Sequence, residues 1–272
     1  MRPGAGNVAL PSTRRREAAV KVEIWSDVVC PWCHIGKRRF EAALAGFAHR
    51  DQIDVQWKSF ELDPGARSGT AEDHTEEGDY SDPGGNADPG GYADSGDYAD
   101  RLARKYGTSR AGAQQMLDTM TDAASAEGLD FHFAKAIRAN TFDAHQVIHL
   151  AGERGVQDAV KERLLRAYFS EGEAVGDPTV LARLAAEAGL DADEVRQALA
   201  DQRYAGAVRA DQAEAARLGI SAVPFFVVDH RYGIAGAQPA DEILQVLQRS
   251  WAQSHPLTVV TPPPDVQGAI SP

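Results

Sequence analysis

Hydrophobic and polar residues alternate in two early stretches of the chain, each about as long as a β-strand. Residues 20–25 read VKVEIW, and residues 53–62 read IDVQWKSFEL. Alternation with a period of two is typical of a strand that buries one face. Between them, apolar residues fall near helical spacing, namely Ile35, Phe40, Leu44 and Phe47. The pattern therefore predicts strand, helix and strand before residue 62.

Helical patterns dominate the middle of the chain. They cover residues 111–128, 141–155, 157–171, 177–189 and 191–218, and Asp177 before Pro178 and Asp191 have the character of N-caps. After Gly219, the apolar run AVPFFVVD predicts a strand over 222–229, followed by a hairpin partner at 231–235 and an amphipathic helix over 239–251. This order predicts an α/β fold in which a small sheet domain carries an inserted all-helical module.

Residues 63–100 interrupt these patterns. The segment lacks Val, Ile, Leu, Met, Phe and Trp, contains eight glycines, and sets eleven acidic residues against the single base Arg67, a net charge of −10. Such a composition buries too little apolar surface to offset the entropy of ordering, so we predict a disordered insertion. A calcium-binding or partner-binding tract is the alternative, and we favour a tolerated surface insertion because lengthening a loop costs little.

These patterns divide the chain into six parts. We predict a disordered N-terminus at 1–19, the sheet domain in two pieces at 20–62 and 219–253, the acidic Gly-rich insertion at 63–100, the helical module at 101–218, and a disordered tail at 254–272.

Charge and hydropathy exclude two classes of partner. The net charge of −12 over 272 residues lies mostly in the acidic segment, and the nearly neutral remainder offers no basic surface for nucleic acid. No stretch approaches the roughly 20 apolar residues of a membrane span. Residues 1–16 lack an apolar h-region ahead of Arg14, Arg15 and Arg16, so we expect a cytoplasmic protein.

The two cysteines of the chain form the motif Cys30-Pro31-Trp32-Cys33, where the first strand turns into a helix. A helix N-terminus presents unsatisfied N–H groups and a positive dipole end, so we expect a lowered pKa for Cys30. The spacing lets Cys30 attack a disulfide and Cys33 resolve it. Three further cations follow on the same helix and are expected to reach solvent, namely Lys37, Arg38 and Arg39.

Other interpretations of this motif are weaker. Cys30 to His34 also spells the c-type haem pattern, but the chain shows no export signal and the motif follows a strand. Zinc would need ligands more closely spaced than His49, His74 or His132. A buried structural pair is a third interpretation. Redox chemistry without a metal is the one we favour.

Val223-Pro224 interrupts the late apolar strand. Proline inside a strand is normally confined to edges or special geometry, and a cis X-Pro bond at the strand start would explain it. An ordinary trans proline that opens a strand explains the local sequence equally well.

Two distant stretches together resemble a known family. Residues 22–44 and 219–239, with NTFDAH at 140–145 and LARKYG at 102–107, resemble the DsbA-like branch of the thioredoxin superfamily, and within it the FrnE-type dithiol-disulfide isomerases of polyketide biosynthesis. The resemblance implies a thioredoxin-like sheet domain, a cis Pro224 beside the cysteines, and a Val223 backbone that pairs with substrate peptide. It also implies that Asn140 and His145 face the active-site cleft.

The chain departs from the family at one position. Thioredoxin-like enzymes often hold a buried acid six residues before the first cysteine, and here that residue is Ile24. Glu23 belongs to the opposite face of the strand. Asp27 is then the nearest candidate for a proton relay, although it can also serve to cap the turn. Trp32, between the cysteines, is a candidate substrate contact.

The sequence thus predicts a thiol-disulfide oxidoreductase or isomerase acting on a disulfide-containing protein or a small-molecule thiol. It implies no bound cofactor, with glutathione as a candidate co-substrate, and it leaves oligomeric state open. A reducing cytosol favours reduction or isomerisation. The rival is a glutathione-dependent enzyme like the 2-hydroxychromene-2-carboxylate isomerases and kappa-class glutathione transferases, although the retained Cys33 argues for dithiol turnover. A non-catalytic module that presents the acidic arm is a third class.

Overall fold

A four-stranded mixed sheet forms the centre of the computed structural model, which describes residues 20–68 and 97–255. The strand order is β2-β1-β3-β4, with β1 at Val20–Ser26, β2 at Ile53–Ser59, β3 at Phe225–Val228 and β4 at Tyr232–Ala235. Strand β1 runs parallel to β2 and antiparallel to β3, and β4 is antiparallel to β3. The chain thus places its first strand in the middle of the sheet, where side chains on both faces are buried.

Two helices pack against the sheet near the Cys30–Cys33 motif. Helix α1, Pro31–Ala45, is the crossover from β1 to β2, and the last helix, Ala240–Ser254, packs beside it. A side-chain atom of Leu244 lies 3.3 Å from where a Cβ on Gly46 would stand, so the two helices approach closely at the end of α1. Apolar residues from the sheet and both helices form the core here, among them Val22, Ile24, Phe40, Phe226 and Leu247.

Seven helices lie between β2 and β3 in the described part of the chain. They are α2 at Tyr98–Tyr106, α3 at Arg110–Ala126, α4 at Phe142–Glu153, α5 at Gln157–Arg166, α6 at Pro178–Glu187, α7 at Ala192–Ala200 and α8 at Ala205–Arg217, so the last helix is α9. A π-helical turn, Ala167–Glu171, continues α5. One hydrophobic cluster runs from the sheet into these helices. The predicted α/β fold with an inserted helical module is confirmed.

Helix starts follow the predicted caps. The Asp177 carboxylate accepts hydrogen bonds from the N–H groups of Thr179 and Val180, and the Asp191 carboxylate accepts one from Glu194. The prediction of a single helix over 191–218 is wrong. The chain turns after α7 with Gln202 at a φ of 49°, and this turn redirects α8 so that it contacts β2.

Ordered residues extend into the acidic segment 63–100 from both of its ends. Residues 63–68 are held by contacts described below, and α2 begins at Tyr98 with Asp97 as its N-cap, whose carboxylate accepts the Asp100 N–H. Both ends therefore lie inside the region 63–100 that composition predicted to be disordered. The predictions for residues 1–19, 69–96 and 256–272 fall outside the described residues. Within 20–68 and 97–255, no helix combines the length and apolar character needed to cross a membrane.

Candidate redox site

Cys30 and Cys33 lie where β1 turns into α1. Cys30 is the N-cap of the helix with extended backbone, and Pro31 occupies the first helical turn, where a missing N–H costs nothing. The Cys33 N–H donates to the Cys30 carbonyl at 3.0 Å, and the two cysteines come within 3.1 Å of each other. Cys33 is fully enclosed, Cys30 is 4% exposed, and Trp32 between them is 36% exposed.

The loop before β3 closes over the cysteines. The Val223–Pro224 peptide bond is cis, which confirms the cis geometry expected for Pro224. The Cys30 Sγ lies 3.5 Å from the Val223 carbonyl oxygen, which accepts a hydrogen bond from the thiol. A Cβ on Gly36 would stand 2.9 Å from Pro224 Cγ, so only glycine lets α1 approach this loop so closely. The expected neighbours of the cysteines, Val223 and Pro224, are therefore at the site.

Asp27 is buried behind the cysteines. Its Oδ2 accepts the Leu62 N–H at 2.8 Å, and its Oδ1 lies 3.4 Å from His145 Nε2. His145 is itself buried and lies 3.1 Å from the Phe60 carbonyl oxygen. The carboxylate thus faces the residues after β2 and helix α4, and only the Asp27 backbone carbonyl closes the turn, by accepting the Cys30 N–H at 3.4 Å.

This arrangement corrects two expectations taken from the resemblance. His145 does not line an open cleft but lies beneath the turn, against Asp27. Asn140 is structural: its Nδ2 donates to the carbonyls of Pro64 and Ala66, and its Oδ1 accepts the Phe142 N–H at the start of α4. Asn140 thereby fastens the residues after β2 to the helical module.

Comparison with known proteins fits this geometry. The DSBA-like thioredoxin domain family matches residues 21–248, which include both cysteines and the cis proline. The chain belongs to this family. A probable DsbA oxidoreductase from Streptomyces coelicolor is 42% identical, with a TM-score of 0.73, and the match covers 89% of this chain and 94% of that one.

Two more distant structures share the fold. The cytosolic disulfide reductase DsbM from Pseudomonas aeruginosa is 16% identical with a TM-score of 0.54, over 86% of this chain and 99% of that one, and a second structure of DsbM contains glutathione. A 2-hydroxychromene-2-carboxylate isomerase is 12% identical with a TM-score of 0.58, over 86% of this chain and 97% of that one.

In this DSBA-like protein the pKa of each thiol depends on the protonation state of the other. Burial raises the pKa of Cys30 well above its ordinary value, and the neighbouring Cys33 sulfur raises it further. Burial also acts against ionisation of Cys33, but the Cys30 thiol, the Lys161 ammonium and the Ser26 hydroxyl together lower the pKa of Cys33. The direction for Cys30 is opposite to the sequence expectation, because the first negative charge of the pair rests on the inner sulfur.

The pKa of the Asp27 carboxyl is also shifted. Burial raises it, but the hydrogen bond and charge of His145, the Leu62 N–H and the Lys161 charge outweigh burial, and the net pKa is lowered. Asp27 is therefore a carboxylate at neutral pH, able to accept a proton within the buried cluster behind the cysteines.

Sequence reasoning missed Lys161 in helix α5. Its ammonium donates to the Ser26 carbonyl oxygen at 3.4 Å and lies 5.6 Å from the centre of the Trp57 ring, and the side chain is 1% exposed. A signal was present in the spacing, since Lys161 falls four residues before the buried Leu165 on the apolar face of the helix.

Lys37 corrects a second expectation about charge. It was expected to reach solvent, but it is buried and paired with three carboxylates, those of Glu41, Asp158 and Glu162. These anions compensate its charge locally. Among the residues of 20–68 and 97–255, no group of three or more His, Cys, Asp or Glu side chains is placed to hold a metal ion.

Proposed function

We propose that this protein is a dithiol-disulfide oxidoreductase or isomerase in which Cys30 attacks and Cys33 resolves. The observation that carries the proposal is that two adjacent cysteines are buried together and only Cys30 retains any exposed surface. Cys30 is 4% exposed and precedes Trp32, which is 36% exposed, whereas Cys33 is enclosed and lies within 3.1 Å of Cys30. A substrate disulfide therefore meets Cys30 first, and only Cys30 lies within reach of Cys33.

The exchange proceeds through a mixed disulfide. The Cys30 thiolate attacks one substrate sulfur, the substrate S–S bond breaks, and the departing sulfur takes up a proton. The Cys33 thiol then loses its proton and attacks Cys30, which releases the second substrate sulfur. The substrate gains two electrons and the Cys30–Cys33 pair is oxidised to a disulfide. The reverse order of steps oxidises a dithiol substrate.

Asp27 is the proposed acceptor for the Cys33 proton. Its carboxylate is ionised and buried next to the turn that carries the cysteines, with His145 against it. In the mixed disulfide Cys33 no longer shares a proton with a free Cys30 thiol, so a buried base is needed at that step.

Substrate recognition is proposed at Trp32, Val223 and Pro224. The Trp32 ring offers exposed apolar surface between the cysteines, and Val223 is partly buried in the loop that touches Cys30. An extended peptide pairing with the Val223 backbone would bring its disulfide to Cys30, in the manner of strand addition. A disulfide-containing protein or a small-molecule thiol fits this surface.

We assign the activity to the cytoplasm, as a reductase or isomerase of the FrnE type with glutathione as co-substrate. The cytosolic disulfide reductase DsbM shares the fold and binds glutathione in one structure, which supports this assignment. A glutathione-dependent isomerisation of a small molecule is the second candidate, because the 2-hydroxychromene-2-carboxylate isomerase also shares the fold.

Trapping with single-cysteine variants tests the proposal. Purified Cys33→Ala, mixed with a peptide disulfide, should accumulate a mixed disulfide on Cys30 that mass spectrometry detects, while Cys30→Ala should form none. Release of the peptide in single turnover should be about 10²-fold slower in Asp27→Asn than in the wild type at neutral pH, as expected for loss of a general base. The rate should recover as the pH rises.

The rival activity gives a different pattern. If the protein is a glutathione-dependent isomerase, Cys33→Ala will retain turnover of 2-hydroxychromene-2-carboxylate with glutathione, and no peptide adduct will form on Cys30. That pair of results would replace the dithiol mechanism.

A further inference from the structure

A buried lysine, Lys161, lies behind Cys33: burial lowers its pKa, and the charges of the Cys33 sulfur and of Asp27 act in the opposite direction. Lys161 comes from α5 in the helical module, and its ammonium reaches the Ser26 carbonyl at the end of β1. Within the described residues, no carboxylate lies within 4.0 Å of Lys161, unlike Lys37 with its three. An ammonium has three donors, and one long hydrogen bond and the Trp57 ring leave much of its lost hydration unreplaced.

The Ser26 hydroxyl lies in the same place. It is buried, and apart from the Cys33 sulfur it has no hydrogen-bond partner among the described residues, although the backbone carbonyl of Ser26 binds Lys161. A hydroxyl and an ammonium, both fully buried and both incompletely satisfied, thus lie on the inner side of Cys33. A negative charge on the Cys33 sulfur satisfies both, and a neutral disulfide satisfies neither.

The other charged groups nearby do not replace Cys33 as the anion closest in role to Lys161. Asp27 is the other anion in the cluster, but its oxygens face the Leu62 N–H and His145. Lys37, from α1, adds positive charge that its own carboxylates offset. Cys30 is on the outer side, and Tyr98 of α2 is close enough for the Cys30 charge to act on it. The cation facing Cys33 from the inner side is therefore supplied by the helical module.

We propose that Lys161 is a positioning residue of the redox pair, which holds the negative charge on Cys33 in the reduced state and so favours the reduced form over the disulfide. This inference rests on the proposed dithiol function and adds to it a link between the two parts of the fold. Oxidation to the disulfide removes the charge on Cys33 and leaves Asp27, which makes no ion pair with Lys161, as the remaining anion that acts on this ammonium. The pair therefore takes up electrons more readily than it would without Lys161.

Equilibration with glutathione tests this inference. Wild type and Lys161→Met are incubated in buffers of defined ratios of reduced to oxidised glutathione at pH 7, and the fraction of Cys30–Cys33 disulfide is measured after acid quenching. Methionine keeps the length of the side chain and removes its charge. Lys161→Met should shift the equilibrium at least tenfold toward the disulfide, equivalent to a potential about 30 mV more negative. Thiolate absorbance of the reduced variant should also rise at a higher pH than in the wild type.

Lys37→Met is the matched control. It removes another buried lysine in contact with α5, so it reports on destabilisation alone, and its equilibrium with glutathione should stay within about twofold of the wild type. A shift of less than twofold for Lys161→Met, a shift in the other direction, or an equal shift for Lys37→Met overturns the inference.

A second measurement separates folding from redox effects. Denaturant unfolding of each variant in its reduced and its oxidised form gives the difference in stability between the two states, which does not depend on overall loss of stability. This difference should favour the reduced wild type and should shrink in Lys161→Met or, if that variant does not fold, in Lys161→Gln. If the wild type itself forms no disulfide in the glutathione buffers, the proposed function fails rather than the role of Lys161.

Discussion

At the scale of single residues, the turn between β1 and α1 gives its two thiols opposite electrostatic surroundings. The Cys30 thiol donates a hydrogen bond to the Val223 carbonyl oxygen, whereas the charge of the Lys161 ammonium lowers the pKa of Cys33. Cys30, the outer cysteine, is thus the one that a substrate meets, and Cys33, the inner one, is the one that carries negative charge. Attack by Cys30 requires the shared proton to move inward to Cys33 or outward to solvent.

Titration of the thiols tests this division. The wild type should ionise in two steps, the first below the ordinary thiol pKa of about 9 and the second well above it. Cys33→Ala removes the neighbouring sulfur that raises the pKa of Cys30, so it should show a single step below the wild-type upper one. Ultraviolet absorbance of the thiolate against pH measures both. A Cys33→Ala midpoint equal to the upper wild-type step would contradict the assignment.

The sequence alone predicts those site residues whose role depends on residues nearby in the sequence. Cys30 and Cys33 share one helical turn, and the proline of Val223-Pro224 stands out inside a strand pattern, so both are recognisable without a structure. Lys161 and the contact of His145 with Asp27 depend on how α4 and α5 pack against the end of β1. Local periodicity carries no information on that packing, and the expectation that His145 lines an open cleft came from the family resemblance alone.

At the scale of elements, the close approach of α1 to the cis-proline loop depends on Gly36. A methyl group there would stand 2.9 Å from Pro224 Cγ and 3.5 Å from Ala237 Cβ. Gly36→Ala should therefore lower the free energy of unfolding by about 1–3 kcal/mol, because the helix or the loop must shift.

Gly206→Ala is the control for this prediction. Gly206 is also helical, in α8, but nothing lies within 4 Å of an added Cβ, so this change should leave stability unchanged or raise it by up to about 1 kcal/mol. Urea unfolding of both variants decides the matter, and equal effects would show that Pro224 does not restrict position 36.

Glu162 links α5 to α1 through ion pairs. Its carboxylate contacts His34, Lys37 and Arg38, and although burial raises its pKa, these three partners hold that pKa well below the ordinary value. Because the pKa is lower in the folded state than in the unfolded chain, the pairs stabilise the fold fully above about pH 5 and lose this effect as the pH falls.

Glu162→Gln should therefore be less stable than the wild type at pH 7 by about 2 kcal/mol, and the difference should shrink toward pH 3. Denaturant unfolding at several pH values measures it. Glu187→Gln, which alters ion pairs at the surface, should show a smaller effect. A constant difference across the pH range would mean that Glu162 acts through packing rather than charge.

Element boundaries show where the sequence was informative. Asp177 and Asp191 mark helix starts because an N-cap is a contact within one turn of the chain. The break between α7 and α8 carries no such mark, since residues 201–204 contain no proline or glycine. It arises because α8 must contact β2, and the burial of Tyr204 at the break favours the turn.

At the scale of the whole molecule, the described residues on both sides of 69–96 are held by their own contacts. Asn140 binds the carbonyls of Pro64 and Ala66, and Asp97 caps α2. We predict that replacing residues 69–96 by a short Gly-Ser linker leaves the proposed disulfide exchange activity and the melting temperature nearly unchanged, because loop length alone costs little.

Insulin reduction and thermal unfolding with and without millimolar calcium test this deletion. The segment holds eight acidic residues and no Lys or Arg. A change in rate of more than a few-fold, or a calcium-dependent rise in melting temperature found only in the full-length chain, would show that the acidic arm has a function.

The antiparallel pairing of β1 with β3 has a consequence for synthesis on the ribosome. Cys30 and the Val223 carbonyl that contacts its sulfur are 193 positions apart, so both thiols leave the exit tunnel long before β3 has been made. Pairings between such distant segments form late, after the intervening chain has been translated. In a nascent chain stalled before β3, the two thiols therefore lack the contacts of the folded site, and these contacts can affect their oxidation only after β3 has been translated.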